Sequence, residues 1–196
     1  MAGSQILVVC LGNICRSPLA EGVLRLRFSE LLGKQAYDSV KVSSAGVMAL
    51  DGHSMDDKAA AELRRLGGDP DGFVARRVNA PMVLGADLVL TATRALRSRV
   101  LEEAPRALRR TFTIPEFAAL VGSPAISGQR TSLADLVGLA SASRSGVGVE
   151  SYDVPDPIGQ PQAVHRRVAD LLDRDCTAIA RAVVQAGVLT AAASGG

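Results

Sequence analysis

The residues with chemical potential lie close together near the start of the chain, in Cys10-Leu11-Gly12-Asn13-Ile14-Cys15-Arg16-Ser17-Pro18. A Cys ends an apolar run, an Arg follows after five residues, and a hydroxyl comes next. A loop of this length at a helix N-terminus can turn its backbone N–H groups inward, making a nest for a tetrahedral oxyanion that the helix dipole also favours. Gly12 and Asn13 are the residues that tolerate the positive φ such a nest needs. Arg16 can clamp two oxygens of a phosphate at once. Leu11, Gly12, Asn13, Ile14, Cys15, Arg16 and Ser17 are therefore the expected phosphate-binding residues. Cys10 would sit beneath the phosphorus as a nucleophile. The dipole, the amides and the guanidinium all favour its thiolate, and Ser17 can donate a hydrogen bond to it. Displacing an alkoxide or aryl oxide also needs a proton donor. Asp156, in the Pro-bracketed run Val154-Pro155-Asp156-Pro157, is the candidate, with Asp153 as the local alternative.

These residues need elements to hold them. Ile6–Cys10 is a continuous β-branched run of the kind buried in parallel sheets. Ser17-Pro18 reads as a cap and first position of a helix that Gly33 ends. Val40–Ser43, Asp87–Thr91 and Thr111–Ile114 read as further strands. Asp56–Leu66, Arg94–Glu103 and Gln162–Val188 read as helices, the last with Val164, Val168, Leu171, Leu172, Ile179 and Val183 spaced for one face. Alternation of strand and helix predicts an α/β fold, a three-layer sandwich around a four-stranded parallel sheet. Ligands in such sheets bind beyond the carboxyl ends of the strands, where Cys10 falls. One domain over 1–189 is expected. A Ser/Gly/Ala-rich stretch near 122–149, with a helical patch at Ser132–Leu139, reads as a surface insertion, and 190–196 as a disordered tail.

Composition removes several functions. The 196 residues carry 22 basic and 20 acidic side chains, a net charge of +2. No basic stripe shows in such a total, and four Phe, two Tyr and no Trp leave little for stacking on bases, so a nucleic-acid partner is not expected. No apolar stretch reaches the roughly 18 residues a membrane span needs, and no secretory leader is visible. Three cysteines, Cys10, Cys15 and Cys176, are too few for a disulfide scaffold. A cytoplasmic location is the simplest expectation. His, Cys and carboxylates show no metal-ligand spacing, and neither a metal nor another cofactor is expected. No phosphate-binding G-x-x-x-x-G-K-[ST] motif occurs.

The fuller pattern C-x-G-N-x-C-R-S-P after a buried strand resembles the low-molecular-weight protein tyrosine phosphatase family. The resemblance continues in Ser43-Ser44-Ala45-Gly46, in Ala75-Arg76, in Ala86–Thr91 and in Val154–Pro157, covering most of 5–120 and 150–185. It implies a phosphomonoester hydrolase acting on a phosphorylated protein or a small phosphomonoester. Cys10 would form a cysteinyl phosphate, Arg16 and the loop amides would hold the oxygens, and Asp156 would serve first as general acid and then as base for water. It also supports a reversible disulfide between Cys10 and Cys15. The chain departs from the family at the substrate wall. Ile158-Gly159 stand where two aromatics are common, Phe73 stands where a His is common, and no Trp lies in the loop after the second strand. Tyr152 or Phe73 is a candidate replacement wall. His53 in that loop reads as a solvated residue, His165 as a residue on the polar face of the last helix, and Cys176 as filler. Ile14 matches the tyrosine-directed members, where related arginine phosphatases carry Thr. Three alternatives share the fold: an arsenate reductase using an external small thiol, a protein-arginine phosphatase, and an inactive phosphate-binding module. Residues 75–110 contain none of the extra cysteines a thioredoxin-coupled reductase uses.

Overall fold

A computed structural model describes residues 3–37, 40–127, 132–146, 148 and 151–186. The expected tail at 190–196 lies outside them, as do parts of the 122–149 stretch.

Four parallel strands form one sheet: β1 (Ser4–Cys10), β2 (Val40–Gly46), β3 (Leu88–Thr91) and β4 (Thr111–Thr113), in the order β2-β1-β3-β4. Period-two alternation sends β1 side chains to two cores. Ile6, Val8 and Cys10 join the larger one, and Leu7 and Val9 the smaller. The larger core is covered by α1 (Arg16–Tyr37), α2 (Asp57–Arg65), α5 (Ile114–Gly122), α6 (Leu133–Ala142) and α7 (Gln162–Gln185). The smaller lies under α3 (Ala80–Gly85), α4 (Arg94–Glu103) and a 3-10 turn, Pro105–Arg110. The expected three-layer α/β sandwich is therefore the fold observed.

Local details differ from the sequence reading. Helix α1 starts at Arg16, so Ser17 is inside its first turn rather than its cap; the Cys15 carbonyl accepts the first helical bond, from Leu19 N–H at 3.0 Å. Gly33 kinks α1, with φ 69° and ψ 168°, but does not end it as expected: helix resumes and runs to Tyr37. Two helices were not anticipated. In α3, Asn79 caps through its side chain and a Pro stands in the first turn. In α5, Thr113 and Glu116 form a reciprocal capping box, which cuts β4 short at Thr113.

The 122–149 stretch contributes to the core. Ile126, Leu133, Leu136, Val137 and Ala140 are all buried in the larger cluster, and α6 packs on α5 and the 3-10 turn. A mere surface insertion would not bury such a face. Leu136→Ala is expected to destabilise the protein by about 2–5 kcal/mol, as buried Leu truncations do. Denaturant unfolding measures this, and an unchanged midpoint would show α6 to be dispensable.

Candidate active site

The loop between β1 and α1 is shaped by where its carbonyls go. The segment after β2 runs alongside it and donates to them in turn. Val47 N–H bonds to Cys10 O at 3.1 Å, Met48 N–H to Leu11 O at 2.9 Å, Leu50 N–H to Gly12 O at 3.0 Å and Asp56 N–H to Ile14 O at 2.8 Å. In a trans peptide the N–H points opposite to the C=O. Four outward carbonyls therefore turn the amides of Leu11, Gly12, Asn13 and Cys15 to the concave side. Asn13 N–H already donates to Cys10 Sγ at 3.3 Å. The expectation of positive φ holds at Asn13 (φ 55°), whereas Gly12 does not need it.

Asn13 is wholly buried and organises what lies behind the loop. Its Nδ2 donates to Ser17 Oγ and to Ser44 Oγ, each at 2.9 Å. Ser17 Oγ in turn donates to Cys10 Sγ at 2.9 Å, and Ser44 Oγ to Glu21 Oε2 at 2.6 Å. Asn13 Oδ1 accepts from Arg76 N–H at 2.9 Å. The Ser44-Ala45-Gly46 and Ala75-Arg76 patterns thus have a physical reason. Ser44 and Arg76 hold Asn13, and Arg76 Nε also donates to Ser44 O at 2.9 Å. A Cβ on Gly46 would stand 2.5 Å from Leu11 O and 2.9 Å from Asn13 N, both backbone atoms of the loop.

Across the opening, Arg16 and Asp156 meet. Arg16 is buried to 6% exposure. Its Nη2 donates to Asp156 Oδ2 at 2.6 Å and its Nη1 to Val154 O at 3.2 Å. Val154 N–H bonds to Ala92 O at 2.8 Å, tying the acid-bearing loop to the end of β3. Asp153 is turned away: its Oδ1 accepts from Arg94 N–H at 2.8 Å, at the start of α4. A cavity of about 230 Å³ is lined by Cys10, the loop, Arg16 and Asp156, with Met48, Leu50 and Ile158 around it. Leu11, Met48, Leu50 and Ile158 are all exposed there. The wall is aliphatic. Neither aromatic considered as a replacement supplies it. Tyr152 lies under the Arg94 guanidinium, 5.2 Å away, and Phe73 lines a separate, larger cavity of about 800 Å³ beside α1. His53 stays exposed, its ring nitrogen 3.0 Å from Leu50 O.

Behind the loop the structure corrects one expectation. His165 does not lie on a polar face; it is buried to 2% exposure, and neither ring nitrogen has a hydrogen-bond partner among the described residues. Each such unmade bond costs about 1–3 kcal/mol. Its Nδ1 lies 3.6 Å from Asp56 Oδ1, and Cys15 completes a cluster of three. Sequence spacing could not show this cluster, because its members come from the loop, the segment before α2 and α7. Burial pushes the Cys15 thiol well above its ordinary range, and the nearby Asp56 carboxylate adds to the rise. Cys15 is therefore a neutral thiol at physiological pH. Cys176 lies in the core with no exposure, its Sγ 3.9 Å from Ala20 O.

Comparison with known proteins agrees with this geometry. A family model described as low molecular weight phosphotyrosine protein phosphatase matches residues 5–125. The low molecular weight protein-tyrosine-phosphatase Ptp of Acinetobacter johnsonii is 36% identical over 114 residues, covering 58% of this chain and 74% of its own. The crystal structure of the low molecular weight protein tyrosine phosphatase from T. tengcongensis superposes with a TM-score of 0.69 at 28% identity, covering 91% of this chain and 99% of that one. The YwlE arginine phosphatase from Geobacillus stearothermophilus gives 0.70 at 26%, covering 96% and 97%. The aligned region carries the loop, its Asn13-centred support and Arg16, and on these matches the chain belongs to the low molecular weight phosphotyrosine protein phosphatase family.

Proposed function

We propose that this protein hydrolyses phosphotyrosine through a cysteinyl-phosphate intermediate, with Cys10 as nucleophile, Arg16 as oxyanion clamp and Asp156 as general acid. The observation that carries the reading is the setting of Cys10 Sγ. It receives hydrogen bonds from Asn13 N–H and from Ser17 Oγ at the base of a loop whose remaining amides face the same space. In the first step Cys10 Sγ bonds to phosphorus and the ester oxygen departs with the proton of Asp156. The inward amides and Arg16 hold the three non-bridging oxygens. In the second step Asp156 takes a proton from water, which attacks phosphorus and releases the Cys10 thiolate. The Ser17 hydroxyl stabilises that thiolate as it leaves.

The Arg16–Asp156 ion pair fits a resting state. With a phosphate in the loop, the guanidinium turns to its oxygens and the Asp156 carboxyl is freed for the leaving group. Charge balance at the phosphoryl group comes from Arg16 and N–H dipoles. A phosphotyrosine side chain in a protein is the substrate class, its ring lying between Ile158, Met48 and Leu50. Three unpaired thiols fit a reducing, cytoplasmic setting. Among the described residues no helix is long and apolar enough to cross a membrane.

Hydrolysis of p-nitrophenyl phosphate at pH 5–7 without added metal tests the mechanism. Cys10→Ser is expected to abolish it, and Asp156→Ala to lower kcat by roughly 10²–10⁴. Full activity in a Cys10→Ser variant would overturn the reading. With peptides, phosphotyrosine is expected to be cleaved in preference to phosphoarginine; the reverse order would assign the site to arginine. Gly46→Ala should lower kcat by about 10², since its methyl group displaces the loop backbone without touching substrate. Peroxide treatment followed by peptide mass analysis is expected to find a Cys10–Cys15 disulfide, and a sulfinic acid at Cys10 with Cys15 still free would exclude Cys15 as its redox partner.

A further inference from the structure

We infer that Cys15, Asp56 and His165 form a binding site for one divalent transition-metal ion of the Zn²⁺ type, directly behind the phosphate-binding loop. A ligand atom of each residue lies within 4.8 Å of the other two. In a tetrahedral zinc site, bond lengths of about 2.0–2.3 Å set the ligand atoms roughly 3.5 Å apart, so closure needs side-chain movements of about 1 Å. The His165–Asp56 separation, 3.6 Å, is already near that value.

Two further observations point to a ligand. First, His165 is a polar side chain buried to 2% exposure whose ring nitrogens find no hydrogen-bond partner among the described residues. A core position with no use for an imidazole is ordinarily filled by an apolar side chain. Second, the charges close. A Cys15 thiolate and the Asp56 carboxylate balance a divalent cation, and a neutral imidazole adds nothing, so the loaded site buries no net charge. The Asp56 side chain is also held in place, because its Oδ1 accepts the cap bonds from Lys58 N–H at 3.1 Å and Ala59 N–H at 3.0 Å. Cys15 lines the active-site cavity as well, which gives an ion a route in. On binding, the thiol proton is released to solvent and the sulfur lone pair goes to the metal.

Such an ion would join the phosphate loop, the segment before α2 and helix α7. It would also withdraw Cys15 from any other bond: sulfur held by the metal cannot pair with Cys10.

The test is titration of the reduced full-length protein with Co²⁺, followed by displacement with Zn²⁺. Wild type is expected to bind one equivalent, with a thiolate-to-cobalt charge-transfer band, the strong visible bands of a tetrahedral ion and a raised thermal midpoint. Cys10→Ser should keep all three. Cys15→Ser should lose the charge-transfer band. His165→Phe, which removes the unpartnered nitrogens and so should fold, is expected to bind more than about 100-fold more weakly, beyond the loss typical of outer-shell changes. Asp56→Asn keeps the helix cap and should also weaken binding. The inference is overturned if wild type shows no thiolate band, if His165→Phe binds like wild type, or if the band disappears in Cys10→Ser and persists in Cys15→Ser. That last result would assign the metal to the nucleophile alone.

Discussion

The structure depends on the outward direction of four peptide carbonyls. A short loop cannot present several amides to an anion unless the opposite ends of those peptides are satisfied elsewhere, since a buried carbonyl without a partner is costly. Here the segment from Val47 to Asp56 supplies the donors. The requirement reaches further than hydrogen bonding. The segment must pass close to the loop, which leaves no room for a Cβ at Gly46. The loop must also reverse sharply, and Asn13 takes the left-handed conformation there. Its amide then couples two otherwise separate features: through Ser17 it reaches Cys10 Sγ, and through Ser44 it reaches Glu21 on α1.

Charge is arranged by the same economy of position. Two aspartates lie three residues apart in one loop, and the backbone around them assigns their tasks. Asp153 answers the free N–H at the start of α4, a helix end that favours a carboxylate. Asp156 lies past Pro155, faces the cavity and meets Arg16. The ion pair is half exposed on the Asp156 side, so it contributes little to stability and is free to exchange partners when an oxyanion arrives.

Much of this was legible in the sequence, for identifiable reasons. Cys10, Arg16 and their loop stand out because anion binding at a helix N-terminus tolerates few residue types. The strands were readable because parallel strands buried on both faces appear as uninterrupted apolar runs. Helix α5 carries its own signal, since Thr113, Pro115 and Glu116 spell a capping box and an N-terminal proline, but that signal adjoins the strand run before it and is masked by it. His165 was misplaced for a different reason. The face through Val168, Leu172, Ile179 and Val183 is the buried one, and His165, three residues before Val168 and seven before Leu172, falls on that same face. Beginning at His165, Val168, Leu172, Cys176, Ile179 and Val183 follow at steps of three and four, and all are buried. For a polar residue at the head of an apolar stripe, register decides burial over residue type. The cluster it forms with Cys15 and Asp56 joins residues far apart in sequence, and no local pattern encodes it.

The aliphatic rim separates chemistry from selection. Every residue that shapes the loop is constrained by backbone contacts, by burial or by a hydrogen bond to another constrained residue. Leu11, Met48, Leu50 and Ile158 line the cavity with about half of their surface exposed, and no side-chain hydrogen bond holds an aliphatic chain. An aryl ring against such a rim gains by removing apolar area from water, about 25 cal/mol per Å², without the directional preference of ring-on-ring stacking. Affinity there depends on area and shape more than on ring orientation. In the proposed reaction the phosphoryl group is then aligned almost entirely by the loop amides and Arg16, the parts of the site whose positions the rest of the molecule holds most firmly.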